Sequence, residues 1–327
     1  MTSIRVGLVG TGYAAKMRAG ALQADPRAQL IVVAGSDPVK TSAFGQTYNI
    51  ETAAAWTDLA ARSDIDLVVI STINRDHGLM VQAVLQSGKH VVVEYPLGLD
   101  LTLAETNLKL AESQQCLLHV EHIELLGGLH LAMQRHLPQI GAPRYVRYCT
   151  INPQRPAPRK WSYQTDLFGF PLVGALSRIH RLTNLFGEVA TVACQNRYDA
   201  DETVSLVSGM HTSFLCTAQL RFKSGLIGEV TYGKGEQLWR RIRRMEIHGQ
   251  QGGLIIDGDQ GTLILPDGHE PIEVSPRKGL FVKDMTMVLD HLLEGTPLYV
   301  SAADSFYALK VADAARRASE TNQVIRV

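Results

Sequence analysis

Residues 4–15 read IRVGLVGTGYAA, and their order decides the fold of the first half of the chain. Ile4 to Val9 is an apolar run of the kind that forms a buried strand. Gly10-Thr11-Gly12-Tyr13-Ala14-Ala15 then spells G-x-G-x-x-A, and Ala14 onward has the apolar face of a helix. In a strand–turn–helix unit the first glycine permits a tight turn. The second lets a pyrophosphate approach the backbone, and the small third residue lets helix and strand pack closely. The helix N-terminus holds the anion through its free N–H groups. Gly10, Thr11, Gly12, Tyr13 and Ala14 are therefore the expected dinucleotide contacts. The alternative is a glycine-rich turn with no ligand.

Outward from this motif, the apolar runs LIVVAG, DLVVIST, HVVVEYP and CLLHVEHI alternate with helical segments. That alternation predicts a doubly wound parallel sheet with helices on both faces, a Rossmann domain over residues 1–121. After His122 the pattern changes. RYVRYCTIN, EVATVACQNRYD, SFLCTAQLRFKSG, LIGEVTYGKG, RRMEIHGQQGGLIID and GTLILP read as successive strands without helices between them. They predict a large, mostly antiparallel sheet in a second, α+β domain over residues 122–327, with two late helices. No internal repeat or low-complexity tract is present.

The second strand bears on the choice of nucleotide. NAD-binding chains usually end it with an acid that holds the ribose 2′-OH. Here it ends in Gly35-Ser36-Asp37. Gly35 removes the repulsion of a 2′-phosphate, Ser36 can donate to it, and Lys40 lies one turn on. NADPH is the expected cofactor, with NADH weaker. The alternative has Asp37 doing the acidic job and Ser36 serving only as a helix cap.

Composition narrows the function classes. In 327 residues, 32 Lys and Arg balance 32 Asp and Glu, so no global field favours nucleic acid or membrane. No signal peptide or membrane-length apolar run occurs, which predicts a cytoplasmic protein. Cys116, Cys149, Cys194 and Cys216 are scattered and read as reduced core cysteines. His119 and His122 form H-x-x-H at a strand end, where the two rings do not share a side and no third ligand follows, so no metal is expected.

The segments GLVGTGYAA, STINRDHGLMVQAVLQSGKHVVVEYPL and LFGEV resemble the glucose–fructose oxidoreductase and inositol dehydrogenase family. Thr72, Asn74 and His77 match its T-P-N-x-x-H segment. Gly88, Lys89, His90, Glu94 and Pro96 match A-G-K-H-V-x-x-E-K-P. The resemblance implies that Thr72, Asn74, His77 and Glu94 belong to the cofactor site, and that an open antiparallel sheet carries the substrate. Two departures stand out. The family's E-K-P lysine is Tyr95, and its catalytic histidine before L-F-G falls on Ser177, with its aspartate partner on Val173. Polyol oxidation needs a base for the hydroxyl proton, and neither residue supplies one.

Glu94-Tyr95-Pro96, HVEHIELL from His119, FGFP from Phe168 and Ser177-Arg178 before L-F-G together resemble the family's biliverdin reductase branch. YGKGE from Tyr232 and RKGLF from Arg277 resemble its cyanobacterial members. That likeness implies reduction of biliverdin IXα to bilirubin by NADPH, with hydride going to the central methine and a proton to a pyrrole nitrogen. No alcohol is deprotonated, so the missing lysine and histidine have no task. It implies catalytic roles for Arg178 and Tyr95, and substrate contacts from Tyr95, His122, Phe168, Arg178 and Lys234, in a monomer. Arg178 is expected to stabilise developing negative charge or to hold a proton-carrying water. Glu94 and Glu121 read as structural in the proton question.

Two basic segments remain. QRPAPRKW, Gln154 to Trp161, reads as a long surface loop that could bring Arg159 or Lys160 to a propionate. LWRRIRRME, Leu238 to Glu246, reads first as a solvated strand face, then as a propionate contact, and last as a nucleic-acid patch. The competing functions are a polyol dehydrogenase that uses His180 as base and a dinucleotide-binding regulator without activity.

Overall fold

The computed structural model describes residues 3–200 and 209–327. They divide into two compact units. The first comprises residues 1–123 and 278–306, the second residues 124–277 and 307–327.

In the first unit, six parallel strands lie in the order β3-β2-β1-β4-β5-β6. They are β1 (Ile4–Val9), β2 (Ala28–Ala34), β3 (Glu51–Ala53), β4 (Leu67–Ile70), β5 (His90–Val93) and β6 (Leu118–Val120). The helices between them are α1 (Tyr13–Ala24), α2 (Pro38–Tyr48), α3 (Trp56–Ala61), α4 (Asn74–Gln86) and α5 (Leu101–Ser113). All four residues of β4 are buried, as is Val91–Val93 of β5. These strands are covered on both faces, which is why they read as unbroken apolar runs rather than alternating ones. The strand order reverses between β1 and β4, and the crevice at that point is where such sheets receive ligands. The turn at Gly10, the segment Thr72–Asn74 after β4 and Glu94–Tyr95 after β5 all emerge at this end of the sheet.

The second unit carries α6 (Gly128–His136), β7 (Pro143–Pro153), α7 (Thr165–Phe168), α8 (Pro171–Gly174) and α9 (Ser177–Phe186). Then follow β8 (Val189–Asp199), β9 (Ser213–Phe222), β10 (Ile227–Gly235), β11 (Ile242–Gly249), β12 (Gly253–Asp257), β13 (Gln260–Leu265) and β14 (Gly268–Ile272). The strand β15 (Ile325–Arg326) closes one edge, giving the order β14-β13-β12-β11-β7-β10-β9-β8-β15. Every neighbouring pair is antiparallel except β7 and β10. From Phe214 to Phe222, β9 alternates buried and exposed residues, the signature of a sheet with one face covered.

The division differs from the simple two-part split expected from sequence. The helix α10 (Leu280–Glu294) packs on α1 of the first unit, although more than 250 residues separate Arg18 from Asp284. The boundary between the units then falls inside α11 (Ala302–Thr321), after Phe306.

Candidate functional site

The first unit holds a cradle for an anion. Gly10 has φ +117°, and a Cβ there would lie 2.2 Å from the Ser71 carbonyl oxygen. Only glycine fits that turn. A Cβ at Gly12 would meet nothing within 4 Å, so this stretch of backbone is left open. Gly12 is the N-cap of α1 and supplies no side-chain cap, and the first turn carries no acid. The N–H groups of that turn thus face an opening with no built-in acceptor, which suits a pyrophosphate. Tyr13 is 74% exposed beside the opening, its ring edge-on to Phe281.

At the end of β2 the structure revises the expected roles. Asp37, not Ser36, caps α2, accepting from the backbone N–H groups of Val39 and Lys40 at 3.1 Å. Its carboxylate also pairs with Lys40 at 2.8 Å, and that contact holds Asp37 below its ordinary pKa. Both groups are exposed enough that the pair is weak, so Lys40 can turn to a phosphate. Gly35 is required by packing as well as by charge: a Cβ there would lie 2.5 Å from Thr41 Oγ1 and 3.0 Å from Thr11 Cγ2.

Three expected contacts move back from the surface. His77 has no exposed surface; its Nδ1 donates to the Pro96 carbonyl at 2.8 Å, and its Nε2 lies 3.4 Å from the Thr72 carbonyl. It cannot touch a cofactor, and instead clamps the segments after β4 and β5 together. Asn74 is likewise buried at the start of α4, while Thr72 is half-buried, its hydroxyl 3.6 Å from Met80 Sδ. His122 is fully buried, so it is not a substrate contact. Its ring stacks beneath Tyr95, with centroids 5.3 Å apart and planes 8° from parallel, and its Nε2 hydrogen-bonds the Ser305 hydroxyl at 2.8 Å.

Glu94 is tied to the helix of the anion cradle. Arg18 of α1 is fully buried and donates to Glu94 Oε1 at 2.9 Å and to Asp284 of α10. Asp284 also accepts from His119 Nε2 at 2.8 Å and from the Tyr299 hydroxyl at 2.7 Å. Asp284 is pinned well below the ordinary carboxylate range: burial would raise it, but Arg18 and His119, by charge and by hydrogen bond, outweigh that effect. Glu121 goes the other way. Burial, and then the neighbouring Glu94, push it well above its ordinary value. His119 and His122 thus point to different partners, as the H-x-x-H spacing at a strand end requires.

The second unit gathers the other expected residues on one face of its sheet. Tyr232 and Lys234 are two apart on β10 and share a side of the strand, opposite Thr150 and Asn152 of the neighbouring β7. Arg178, the second residue of α9, donates from Nε to Thr150 Oγ1 at 2.9 Å. Its guanidinium lies over the Tyr232 ring, 3.8 Å from the centroid. The Lys234 ammonium donates to Ser162 Oγ at 2.9 Å and sits 4.2 Å from the Tyr163 ring centre and 5.9 Å from that of Phe168. Burial, then the charges of Lys160 and Arg178, lower its pKa to about 8. Phe168 itself is 8% exposed and packs on Trp161. His180, the alternative base, is 1% exposed in the interior, so it has no access to a substrate hydroxyl.

The proline-rich loop is not a free flap. Arg155 lies over the Trp239 ring at 3.6 Å and donates to the carbonyls of Glu236 and Leu238, while Glu236 accepts from the Ala157 N–H. Arg241 and Arg243 belong to the basic run LWRRIRRME and Arg277 opens RKGLF, far apart in sequence. They line one pocket with Arg178.

Residues 4–122 match the oxidoreductase family, NAD-binding Rossmann fold, and residues 138–327 match the oxidoreductase family, C-terminal alpha/beta domain. Among solved structures, the chain is similar to biliverdin reductase from Synechocystis sp. PCC 6803, crystallised with biliverdin and NADP+. Identity is 45%, covering 97% of this chain and 99% of that one, with a TM-score of 0.94. Biliverdin reductase A of Mus musculus is 27% identical over 238 residues, 72% of this chain and 69% of that protein. Levoglucosan dehydrogenase in complex with NADH shares the fold, at 18% identity and TM-score 0.86 over 100% of this chain and 99% of that one.

Proposed function

The chain belongs to the oxidoreductase family with an NAD-binding Rossmann fold, in its biliverdin reductase branch, and from this we infer that it reduces biliverdin IXα to bilirubin with NADPH. The observation that carries this is the 45% identity, across 97% of the chain, to an enzyme crystallised with both ligands. The site chemistry agrees. Tyr95 and Ser177 stand where a polyol dehydrogenase needs a lysine and a histidine, and His180 is buried.

Bound NADPH supplies the hydride. Gly10 to Ala14 hold its pyrophosphate at the N-terminus of α1, and Ser36 and Lys40 take the 2′-phosphate. Thr72 lines the same end of the sheet. Asn74, His77 and Glu94 act from behind it, by fixing the segments that follow β4 and β5. Tyr95 offers a flat aromatic surface to the pigment, and the His122 ring beneath fixes its angle.

Arg178 stabilises the negative charge that develops on the tetrapyrrole as hydride arrives. A guanidinium does not release its proton near neutrality. Lys234, on the same side of β10 and near neutrality in pKa, is the group that gives up the proton, and solvent restores it. Phe168 and Tyr163 form the apolar bed around that ammonium.

We assign this activity to a cytoplasmic monomer that does not bind nucleic acid. In support, no helix among the described residues is long and apolar enough to cross a membrane. Two of the four arginines of the LWRRIRRME run face acids, which reduces its open positive charge: Arg244 pairs with Glu246 and Asp257, and Arg243 with Asp259. The test is optical. Purified protein, biliverdin and NADPH should lose the biliverdin band and gain a bilirubin band. Binding of both ligands without that change would leave a sensor in place of an enzyme.

A further inference from the structure

We propose that Cys194 and Cys216, a buried thiol pair on adjacent strands of the second unit, are an oxidation site: a peroxide closes them to a disulfide, a dithiol reopens it, and the link disturbs the platform beneath Arg178. The effect on turnover rests on the biliverdin reading given above; the disulfide does not. The cysteines are scattered in sequence, yet the fold brings two of them together, with Cys194 Sγ 3.6 Å from Cys216 Sγ. Cys194 lies opposite Ala218 and Cys216 opposite Asn196, so the two are diagonal neighbours on one face of β8 and β9. In that relation α-carbons sit roughly 7–8 Å apart, just beyond the reach of about 7 Å that a disulfide spans. Closing the bond therefore requires a strand shift of about an ångström. β8 is placed to make it. Among the described residues its outer edge is paired only by β15, at Thr191 and Val192, and Cys194 lies beyond both.

The surroundings give the two sulfurs different parts. Cys216 is fully buried. The hydrogen bond to Cys194, and then burial, hold its thiol above its ordinary pKa, so it keeps its proton and its S–H donates to the Cys194 sulfur. Cys194 lines a pocket of about 490 Å³ whose walls include the exposed Gln195 and Gln219, so small solutes reach it from solvent. Cys194 is thus the attacking sulfur and Cys216 the resolving one. The Cys194 sulfur attacks one peroxide oxygen: an S–O bond forms, the O–O bond breaks, and one water leaves with the Cys194 proton. The Cys216 sulfur then attacks the Cys194 sulfur: the S–S bond forms, the S–O bond breaks, and a second water leaves with the Cys216 proton. The pair loses two electrons and the peroxide gains them. Cys116 and Cys149 have no such sulfur neighbour among the described residues. Cys216 also stands directly opposite Tyr232 of β10, whose ring carries the Arg178 guanidinium at 3.8 Å. Drawing Cys216 toward Cys194 shifts the strand beside that platform.

The test treats the reduced protein with a slight molar excess of hydrogen peroxide and maps its peptides without reduction. Wild-type protein should lose about 2 Da and yield a peptide pair joined through Cys194 and Cys216, and dithiothreitol should reverse both. Cys216→Ala lacks the resolving sulfur and should stop at the sulfenic acid, with a gain of about 16 Da at Cys194. Oxidised wild-type protein should turn over biliverdin about tenfold more slowly, with the rate restored by dithiothreitol, because a misplacement of about an ångström in a site costs up to about a hundredfold. Peptides without a link between Cys194 and Cys216, or oxidation confined to Cys116, would overturn the site. A complete link with unchanged kcat would overturn its coupling to Tyr232. Absence of turnover by the reduced wild-type enzyme would be seen first; it would overturn the functional reading, and the peptide map would still decide the thiol pair.

Discussion

Tyr95 lies face to face on His122, their ring planes 8° apart, and His122 is itself fixed by Ser305. The tyrosine that replaces a lysine in this fold is thus held as a flat plate. His122→Ala removes the ring beneath it and leaves the Ser305 hydroxyl without that partner, which should cost about 2–4 kcal/mol of stability. It should also raise KM for biliverdin. Tyr95→Phe preserves the stack and should lower kcat less than about tenfold. Thermal melts and steady-state kinetics on both variants separate the roles. Abolished turnover in Tyr95→Phe would show that the hydroxyl, not the ring, is the working group.

Arg178 combines a hydrogen bond to Thr150 with a stack on Tyr232, and only a planar guanidinium can do both. Removing a donor aimed at developing charge costs on the order of 10²–10³ in kcat. Arg178→Ala should show that loss with NADPH affinity unchanged, since the anion cradle is built from α1 in the other unit. Arg178→Lys should recover only part of it. Single-turnover rates and a nucleotide titration by fluorescence are the measurements. A kcat near that of wild type in the alanine variant would remove Arg178 from the mechanism.

The pH profile should report Lys234. Its pKa is lowered to about 8, so the ammonium is present below that value and lost above it. A reaction that draws its proton from Lys234 should slow as pH rises through about 8. In Lys234→Met that limb should flatten at a lower overall rate. An unaltered limb in the variant would transfer the titration, and the proton, to another group.

The dinucleotide half was legible because its signals are local: a six-residue turn motif, and strands whose burial on both faces makes them uniformly apolar. What escaped depends on distance along the chain. Asp284 pairs with Arg18 across 266 positions, and nothing near either residue announces it. For the same reason α10 could not be assigned to the first unit. His77 and His122 were placed in the site because they stand beside it in sequence, yet both project inward. The arginine pocket did leave a trace. Arg241 and Arg243 are two apart in extended chain and so share a side, a spacing obscured by the more conspicuous run of basic residues around it.

Nucleotide choice needs a cleaner variant than Gly35→Asp, because Thr41 and Thr11 leave no room for a side chain at that position. Ser36 is exposed and open to substitution. Ser36→Asp places a negative charge where the 2′-phosphate is expected and should weaken NADPH at least tenfold relative to NADH. Lys40→Ala should act in the same direction with smaller effect, since Lys40 is exposed and shares its charge with Asp37. The ratio of kcat/KM for the two nucleotides is the readout. An unchanged ratio in Ser36→Asp would mean that the phosphate lies elsewhere.

The buried carboxyls behind the E-Y-P segment should respond to pH in opposite senses. Glu121 is buried beside Glu94, and its folded pKa is raised well above the ordinary 4.5. The folded state therefore holds a proton that the unfolded chain releases as pH rises past about 4.5, so this group makes the protein less stable toward neutrality. Glu121→Gln keeps an acceptor for the Ile123 N–H and a donor for Glu94 without that cost. It should melt higher than wild type at pH 7.5, and the gap should close near pH 4.5. Asp284 is depressed below its ordinary 3.8 by Arg18 and His119, so its contribution is present at neutral pH and fades only as pH falls below about 4. Asp284→Asn leaves Arg18 buried with less compensation and should lose about 3–5 kcal/mol at pH 7.5. Melting temperatures of both variants across pH 4 to 8 would decide. A lower Tm for Glu121→Gln at pH 7.5 would mean that Glu121 is ionised in the fold and pairs with Arg18 as a second carboxylate.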